Sequence, residues 1–354
     1  MIYRVRDSEA VSAWISDDRG RHTHGGESVC PGFHRYKGFA GCPAWAAGQE
    51  CAYCFLRATH RFDRELSEGV VWGRLLADCE DCHRQEDDAS CRAPECRVPI
   101  DVSPARAAVA KWLQRPASCA TCSRLCLGRQ SVLKEALACD KWLPMVLNCG
   151  ELADSFGFSP KENPHVGMLL YLFSDFETNP HGHKVLFVTK AGLEATKAHL
   201  GGRKASDNVI LSWSMGDSPD EEPYWLDLWS NTGRFCGMAW ASRQGWRVRV
   251  RLDPLLGRDE LSLYKHAANI ASAAPCALPN VECWTLGCRR YRGGRQAESE
   301  EYRMWAYRQV IEGIRWWQGR RGVESTIALC KETPAMIREV LGIEPGEMRC
   351  NCVA

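Results

Sequence analysis

Three cysteines, Cys42, Cys51 and Cys54, have the residue type and the spacing that a metal centre needs. They follow a C-x8-C-x2-C pattern, and the two residues between Cys51 and Cys54 allow a short turn to direct both sulfurs at one metal. Three thiolates can hold three corners of an iron–sulfur cube and leave its fourth iron open to a small molecule. A C-x2-C pair with one further cysteine is also typical of half a zinc site, so the motif alone leaves both metals open.

A second group of seven cysteines lies between residues 79 and 126. It includes two C-x2-C pairs, formed by Cys79 with Cys82 and by Cys119 with Cys122. Two such pairs are typical of a four-thiolate zinc site. Because seven cysteines exceed the needs of one zinc ion, an auxiliary iron–sulfur cluster is the alternative prediction.

The composition favours a folded protein with reduced thiols. The chain has 354 residues, a hydrophobic fraction of 45%, 20 cysteines and a net charge of +1, so bulk charge predicts neither a nucleic-acid nor a membrane partner. No apolar signal region follows the first residues, and the longest apolar run, 166–173, is too short to span a membrane. We therefore expect a cytoplasmic protein whose cysteines are partly bound to metal.

Apolar segments of strand length alternate with amphipathic segments of helical length, which predicts an α/β protein built from parallel βαβ units. Strands are expected at 37–41, 144–149, 184–190, 208–215, 246–252 and 281–286. Helices are expected between them, at 104–114, 130–137, 164–173, 193–200, 234–243 and 260–273. Six such units fit a partial (β/α)6 TIM-like barrel, in which ligand-binding groups follow the C-terminal ends of the strands.

The predicted domain organisation follows from this pattern. An N-terminal segment, 1–38, precedes a barrel over 39–290, which is interrupted by the Cys-rich insertion 79–126. A helical C-terminal extension, 291–354, contains a long helix at 299–318 and short helices near 324–331 and 333–341. The last two cysteines, Cys350 and Cys352, either fold back as ligands or redox groups, or belong to an idle tail.

Five motifs in order resemble those of radical S-adenosylmethionine enzymes related to spore photoproduct lyase. They are the cysteine motif at 41–56, the acidic motif at 148–157, Phe-Val-Thr-Lys at 187–190, Ser-Trp-Ser-Met at 212–215, and the segment 244–254. The resemblance covers roughly 37–58 and 144–290 and leaves out the Cys-rich insertion. It implies that Cys42, Cys51 and Cys54 ligate a [4Fe–4S] cluster, whose open iron binds S-adenosylmethionine.

Further roles follow from the resemblance. Tyr53, Lys190, Ser212 and Ser214 are expected to bind the cofactor, with Lys190 pairing with its carboxylate. The reaction would begin with reductive cleavage of S-adenosylmethionine and hydrogen abstraction from a substrate, and it implies an electron donor of the flavodoxin or ferredoxin type. The insertion lies outside the resemblance, and the spacing of its four paired thiols by itself predicts zinc or a second cluster.

The acidic motif is expected to line the substrate cavity through Cys149, Glu151 and Asp154. The related lyase has a hydrogen-donor cysteine in this motif, and Glu151 occupies its place here. Cys149 lies two residues earlier, on the same face if the segment is extended, so either Cys149 is the hydrogen donor or the enzyme needs none. Repair of thymine dimers is therefore not carried over to this chain.

The substrate is less defined by the sequence than the cofactor. Four arginines and Tyr291 lie in 288–295, after the sixth predicted strand, and could bind phosphates and stack on a base. This composition favours a nucleic acid or nucleotide substrate, although a solvated loop has the same composition. A small metabolite or a peptide is the alternative substrate. The alternative function is a non-enzymatic zinc protein whose thiol pairs support a nucleic-acid or protein-binding surface.

Overall fold

A single mixed sheet organises the computed structural model of the chain. The structure describes residues 15–17, 34–36, 38–39, 102–114, 145–150, 154–161, 163–215, 231–255, 281–288 and 298–352. The strands are β1 Ile15–Asp17, β2 His34–Tyr36, β3 Val146–Cys149, β4 Lys184–Thr189, β5 Val209–Met215, β6 Arg247–Leu255, β7 Val281–Cys288 and β8 Thr326–Leu329. The helices are α1 Ser103–Leu113, α2 Pro164–Ser174, α3 Leu193–Leu200, α4 Asn231–Arg243, α5 Glu300–Arg321 and α6 Pro334–Leu341.

The strands lie in the sheet in their order along the chain, from β1 to β8. β1 is antiparallel to β2, and the seven strands from β2 to β8 are all parallel. The sheet is open, as a partial TIM-like barrel requires, so the predicted fold class is confirmed. Within the described ranges the sheet has seven parallel strands, whereas the sequence pattern predicted six.

The additional strand is β8, which lies where a short helix was expected near 324–331. That prediction is wrong for 326–329, because this segment pairs in parallel with β7 along Cys283–Leu286. Ala328 and Leu329 are fully buried in the pairing. A short apolar run does not by itself distinguish a helical segment from a buried strand, and here the neighbouring strand decides.

The predicted helices α1, α2, α3, α5 and α6 are confirmed, and their ends show why they form. The Ser299 hydroxyl accepts a hydrogen bond from the Tyr302 N–H at the start of α5, and Thr333 does the same for Met336 at the start of α6. Both helices end at a glycine with positive φ, Gly322 and Gly342, which is the usual C-terminal stop. The expected helices at 130–137 and 260–273 lie outside the described residues. No helix within the described ranges combines the length and apolar character needed to cross a membrane.

The two faces of the sheet have different chemistry. The outer face packs against the helices through a large apolar core that includes Leu147, Phe187, Leu211, Trp213 and Trp284. The inner face begins with a small apolar cluster toward the N-terminal ends of the strands, formed by Val146, Leu186, Val188 and Ile210. Side chains alternate along each strand, so the polar residues that follow this cluster on β5 and β6 also face inward. The C-terminal half of the inner face is therefore polar.

Candidate active site

Three neighbouring strands end at one edge of the sheet, and the predicted site residues follow their ends. β3 ends at Cys149, β4 at Thr189 and β5 at Met215. Because parallel strands have their C-terminal ends at the same edge, this edge brings together Asp154, Lys190 and Ser214. These three residues are far apart in the sequence and are assembled only by the sheet.

Asp154 connects the loop after β3 to the end of β4. One carboxylate oxygen accepts hydrogen bonds from the Thr189 hydroxyl at 2.7 Å and the Phe156 N–H at 3.1 Å. The other accepts from the Lys190 backbone N–H at 2.7 Å. These bonds hold the backbone of Lys190 at a fixed position directly after β4.

A glycine allows the chain to leave β3 toward Asp154. Gly150 has a φ of +106°, and a Cβ at this position would lie 2.6 Å from the Val188 carbonyl oxygen. The Ser155 N–H donates to the same carbonyl at 3.0 Å, and its hydroxyl donates to the Cys149 carbonyl at 3.0 Å. A residue with a side chain at position 150 would therefore displace the loop that carries Asp154.

The electrostatic environment of Asp154 is dominated by burial, which raises the pKa of its carboxyl group above the ordinary 3.8. Its hydrogen bonds to Thr189, Lys190 and Phe156 and the charge of Lys190 oppose this rise. A group whose pKa is higher in the folded state stabilises the fold below its unfolded pKa. That contribution is lost as pH rises through the folded pKa.

We expect Asp154→Asn to lower the free energy of unfolding by about 1–3 kcal/mol in acid, because an amide cannot accept from all three donors. The difference in free energy of unfolding between the two proteins should narrow as pH rises. The wild-type carboxyl group then ionises in a buried position, which is unfavourable, whereas the amide does not ionise. Urea unfolding of both proteins between about pH 4 and pH 8 measures this trend. A wild-type advantage that grows with pH would contradict it. Asp175→Asn, at a half-buried carboxylate that accepts from the Glu177 N–H, is the matched control.

The predicted cofactor-binding residues of β4 and β5 lie on the inner face. Ser212 and Ser214 follow Ile210 at alternate positions of β5, and Lys190 follows Leu186 and Val188 in the same way. Ser212 is fully buried, and its hydroxyl has no hydrogen-bond partner among the described residues. Lys190 and Ser214 are half-buried. Together they place one cation and two hydroxyl groups at the C-terminal ends of β4 and β5.

Cys149 lies on a different face of the sheet from the one that the sequence predicted. It is fully buried on the outer face, together with Tyr36, whose hydroxyl is 2.6 Å from His165 Nδ1 on α2. Burial raises the pKa of the Cys149 thiol well above its usual range. The inner face at this point is occupied by Asn148, and Gly150 interrupts the extended segment on which the predicted alignment of Cys149 with Glu151 depended. Cys149 therefore faces the helices, in contrast to the expectation that it lines the cavity.

Several predicted site residues lie outside the described part of the chain, and nothing tests their roles. They are Cys42, Cys51, Tyr53, Cys54, Cys79, Cys82, Cys119, Cys122 and Glu151, together with the arginine-rich residues 289–295. Within the described ranges, no group of three or more His, Cys, Asp or Glu side chains is arranged to hold a metal ion.

β6 carries a polar row that was not predicted from the sequence. Arg249, Arg251 and Asp253 alternate with apolar residues, and the Arg251 guanidinium donates to the Asp253 carboxylate at 3.1 Å. Gly287 on β7 makes room for this carboxylate, because a Cβ there would lie 2.6 Å from it. The alternation of charged and apolar residues along β6 was the signal that could have identified this row.

Comparison with known proteins gives only remote structural neighbours. No model of a known protein family and no curated protein matches the sequence. A spore photoproduct lyase mutant and spore photoproduct lyase complexed with dinucleoside spore photoproduct each match with a TM-score of 0.38 and 10% identity. Each match covers 56% of this chain and 65% of the lyase chain, so the chain spans about two thirds of the lyase's length.

The biosynthetic arginine decarboxylase SpeA from Campylobacter jejuni matches with a TM-score of 0.31 and 11% identity, over 59% of this chain and 34% of the enzyme. Similarity at this level carries no functional information, so function is inferred from the residues of the chain itself.

Proposed function

We propose that the chain is a radical S-adenosylmethionine enzyme, in which Cys42, Cys51 and Cys54 hold a [4Fe–4S] cluster. The observation that supports this proposal most directly is the meeting of Lys190 and Ser214 at one edge of a parallel sheet. The cysteine motif follows the strand β2 that ends at the same edge. A cation and hydroxyl groups beside a three-thiolate cluster are the groups that this cofactor requires.

The position of β2 supports the proximity of the cysteine motif to this edge. β2 pairs in parallel with β3, with His34 opposite Leu147 and Arg35 opposite Asn148. The chain leaves the C-terminal end of β2, and Phe39 is still buried in the core. Cys42 follows Phe39 by three residues, which span at most about 11 Å. This short separation along the chain supports assigning the motif to the edge where β2 and β3 end.

The described residues fit the chemistry of S-adenosylmethionine. The ammonium of Lys190 can pair with a carboxylate, and the unpartnered hydroxyl of Ser212 needs a hydrogen-bonding partner. When bound at a reduced cluster, S-adenosylmethionine supplies reductive carbon–sulfur cleavage that starts hydrogen abstraction. The residues of the chain position the cofactor. Asp154 fixes the backbone of Lys190, and the hydroxyl groups of Ser212 and Ser214 orient the polar groups of the cofactor. The full burial of Ser212 keeps its hydroxyl group away from bulk water.

Lys190→Ala tests the assigned carboxylate contact. We expect the variant to bind S-adenosylmethionine about 10- to 100-fold more weakly, since a hydrogen bond to a charged group contributes about 1.5–3 kcal/mol. Isothermal titration calorimetry of the reconstituted protein measures this affinity without requiring turnover. Lys197→Ala removes an exposed lysine of α3 that pairs with Glu194 and should bind the cofactor normally. Equal affinity of the Lys190 variant and this control would refute the contact.

Anaerobic reconstitution tests the proposed function as a whole. The purified protein should be brown, should contain at least one cluster's iron and sulfide per chain, and should release deoxyadenosine from S-adenosylmethionine under reducing conditions. The alternative function, a non-enzymatic zinc protein, is favoured by the two C-x2-C pairs of the insertion. Colourless protein that contains only zinc and forms no deoxyadenosine would support that alternative.

The substrate class and the electron donor are also part of the proposal. The arginine-rich segment after β7 favours a nucleic acid or nucleotide, and an electron donor of the flavodoxin or ferredoxin type would reduce the cluster. Filter binding to DNA and RNA over a series of salt concentrations tests the polymer, because phosphate contacts weaken as salt rises. Absence of salt-sensitive binding would argue against a nucleic acid.

A further inference from the structure

The C-terminal tail, residues 348–352, is folded against the inner face of the sheet. Arg249 Nη1 donates to the Asn351 carbonyl oxygen at 2.8 Å, and the Asn351 N–H donates to Thr285 Oγ1 at 3.0 Å. Asn351 is fully buried, and neither polar atom of its side chain has a hydrogen-bond partner among the described residues. These contacts exclude an idle, frayed tail, which was one of the two possibilities left open by the sequence.

The tail holds two thiols side by side in this polar interior. Cys350 and Cys352 are separated by one residue, a turn begins directly after Cys350, and the structure shows no disulfide between them. Cys350 is buried, whereas Cys352 is half-buried. Cys352 Sγ is 3.9 Å from Asn148 Nδ2, a potential hydrogen-bond donor on β3. A single intervening residue keeps the two thiols within the reach that thiol–disulfide exchange requires.

The environment distinguishes the two thiols. The guanidinium of Arg251 interacts electrostatically with Cys352, and its Nη2 is 3.9 Å from the sulfur of Cys330. A nearby cation favours the thiolate form, which is the nucleophile. The hydrogen bond with Cys352 and then burial raise the pKa of Cys350 well above its usual range, so Cys350 keeps its proton. Cys352, the more accessible of the two thiols, is therefore also the one that has the Asn148 amide and the Arg251 guanidinium as neighbours.

We propose that Cys352 and Cys350 form a redox-active dithiol that exchanges with small-molecule disulfides. The Cys352 thiolate attacks one sulfur of the disulfide, which forms a mixed disulfide and releases one small thiolate. Cys350 then loses its proton to solvent and attacks the Cys352 sulfur, which releases the second small thiolate. The protein loses two electrons and the small disulfide gains them. This site is independent of the radical chemistry proposed above, because it uses neither the cluster nor S-adenosylmethionine.

Mass spectrometry of the tail tests the proposal on the full chain. The protein is incubated with oxidised glutathione, quenched in acid, alkylated after denaturation and digested with trypsin. Cleavage after Arg349 releases residues 350–354, which contain both thiols and no other cysteine. The expected product is this peptide lacking two hydrogens and carrying no alkyl group. Cys236 is an exposed thiol on α4 whose tryptic peptide has no second cysteine, so it should form only a mixed disulfide.

Two variants test the assigned order of attack. Cys350→Ser should accumulate a glutathione mixed disulfide on Cys352, because the resolving thiol is missing. Cys352→Ser should leave the buried Cys350 unmodified. A wild-type tail peptide that remains fully alkylated while Cys236 reacts would overturn the proposal. Linkage of the tail to the peptide that contains Cys330 would overturn the assigned pair, and both results come from the wild-type protein, so neither depends on folding of a variant.

Discussion

Replacing Cys51 with serine is expected to abolish deoxyadenosine formation, to below the detection limit of a chromatographic assay. A serine hydroxyl does not replace a thiolate as a ligand of iron. Cys51 and Cys54 are the two closely spaced ligands of the proposed cluster. Only two of the three proposed ligands would remain in the variant. We expect the iron content attributable to this cluster to fall together with the activity after anaerobic reconstitution.

Cys236→Ser is the matched control for this experiment. Cys236 is an exposed cysteine of α4, and the same substitution there should leave both iron content and deoxyadenosine formation unchanged. Retained deoxyadenosine formation in the Cys51 variant would refute the assignment of the cluster to this motif. A loss of activity in both variants would indicate a general effect of removing thiols, and would also count against the specific assignment.

Replacing Glu332 with alanine is expected to destabilise the fold by about 3–5 kcal/mol. The Glu332 carboxylate is fully buried and accepts from Arg303 Nε at 3.0 Å, from Arg303 Nη2 at 3.3 Å and from the Tyr307 hydroxyl at 2.7 Å. Tyr307 in turn accepts from the Cys288 N–H at the end of β7. Removal of the carboxylate leaves the guanidinium of Arg303 in the protein interior without its negative partner. This network joins α5 to β7 and to the segment between β8 and α6, so we expect a large shift of the urea midpoint.

Glu339→Ala provides the comparison for this substitution. Glu339 pairs with Arg308 on the surface, where both side chains are more than half exposed. Exposed ion pairs contribute about 0–1 kcal/mol, so the same change of residue should have a small effect there. Similar losses of stability in the two variants would show that the Arg303–Glu332 pair contributes no more than a surface pair. Such a result would contradict the role assigned to the network.

The period of the apolar residues determined most of the fold. Alternation of apolar runs with helical segments predicted the parallel strands β3 to β7 and helices such as α2 and α3 within one or two residues at most ends. Local chemistry is sufficient there, because strand and helix periods differ and because residues such as Pro164 fix a helix start. The motifs at the ends of β4 and β5 also predicted that Lys190 and Ser214 lie near each other, and both residues lie at the C-terminal edge of neighbouring strands.

Tertiary structure decided what local pattern could not. Whether 326–329 forms a strand depends on a partner edge offered by β7, which is more than thirty residues away in the sequence. Whether Cys149 faces the cavity or the helices depends on its register with Phe187 and on the positive φ of Gly150. The burial of the tail depends on Arg249 and Thr285, whose inward direction follows from pairing across the sheet. The sequence by itself determined which residue types are available at the candidate site. The face of the sheet on which each residue lies, and the residues it contacts, depend on pairing between distant segments. A local hydrophobic period does not encode that pairing.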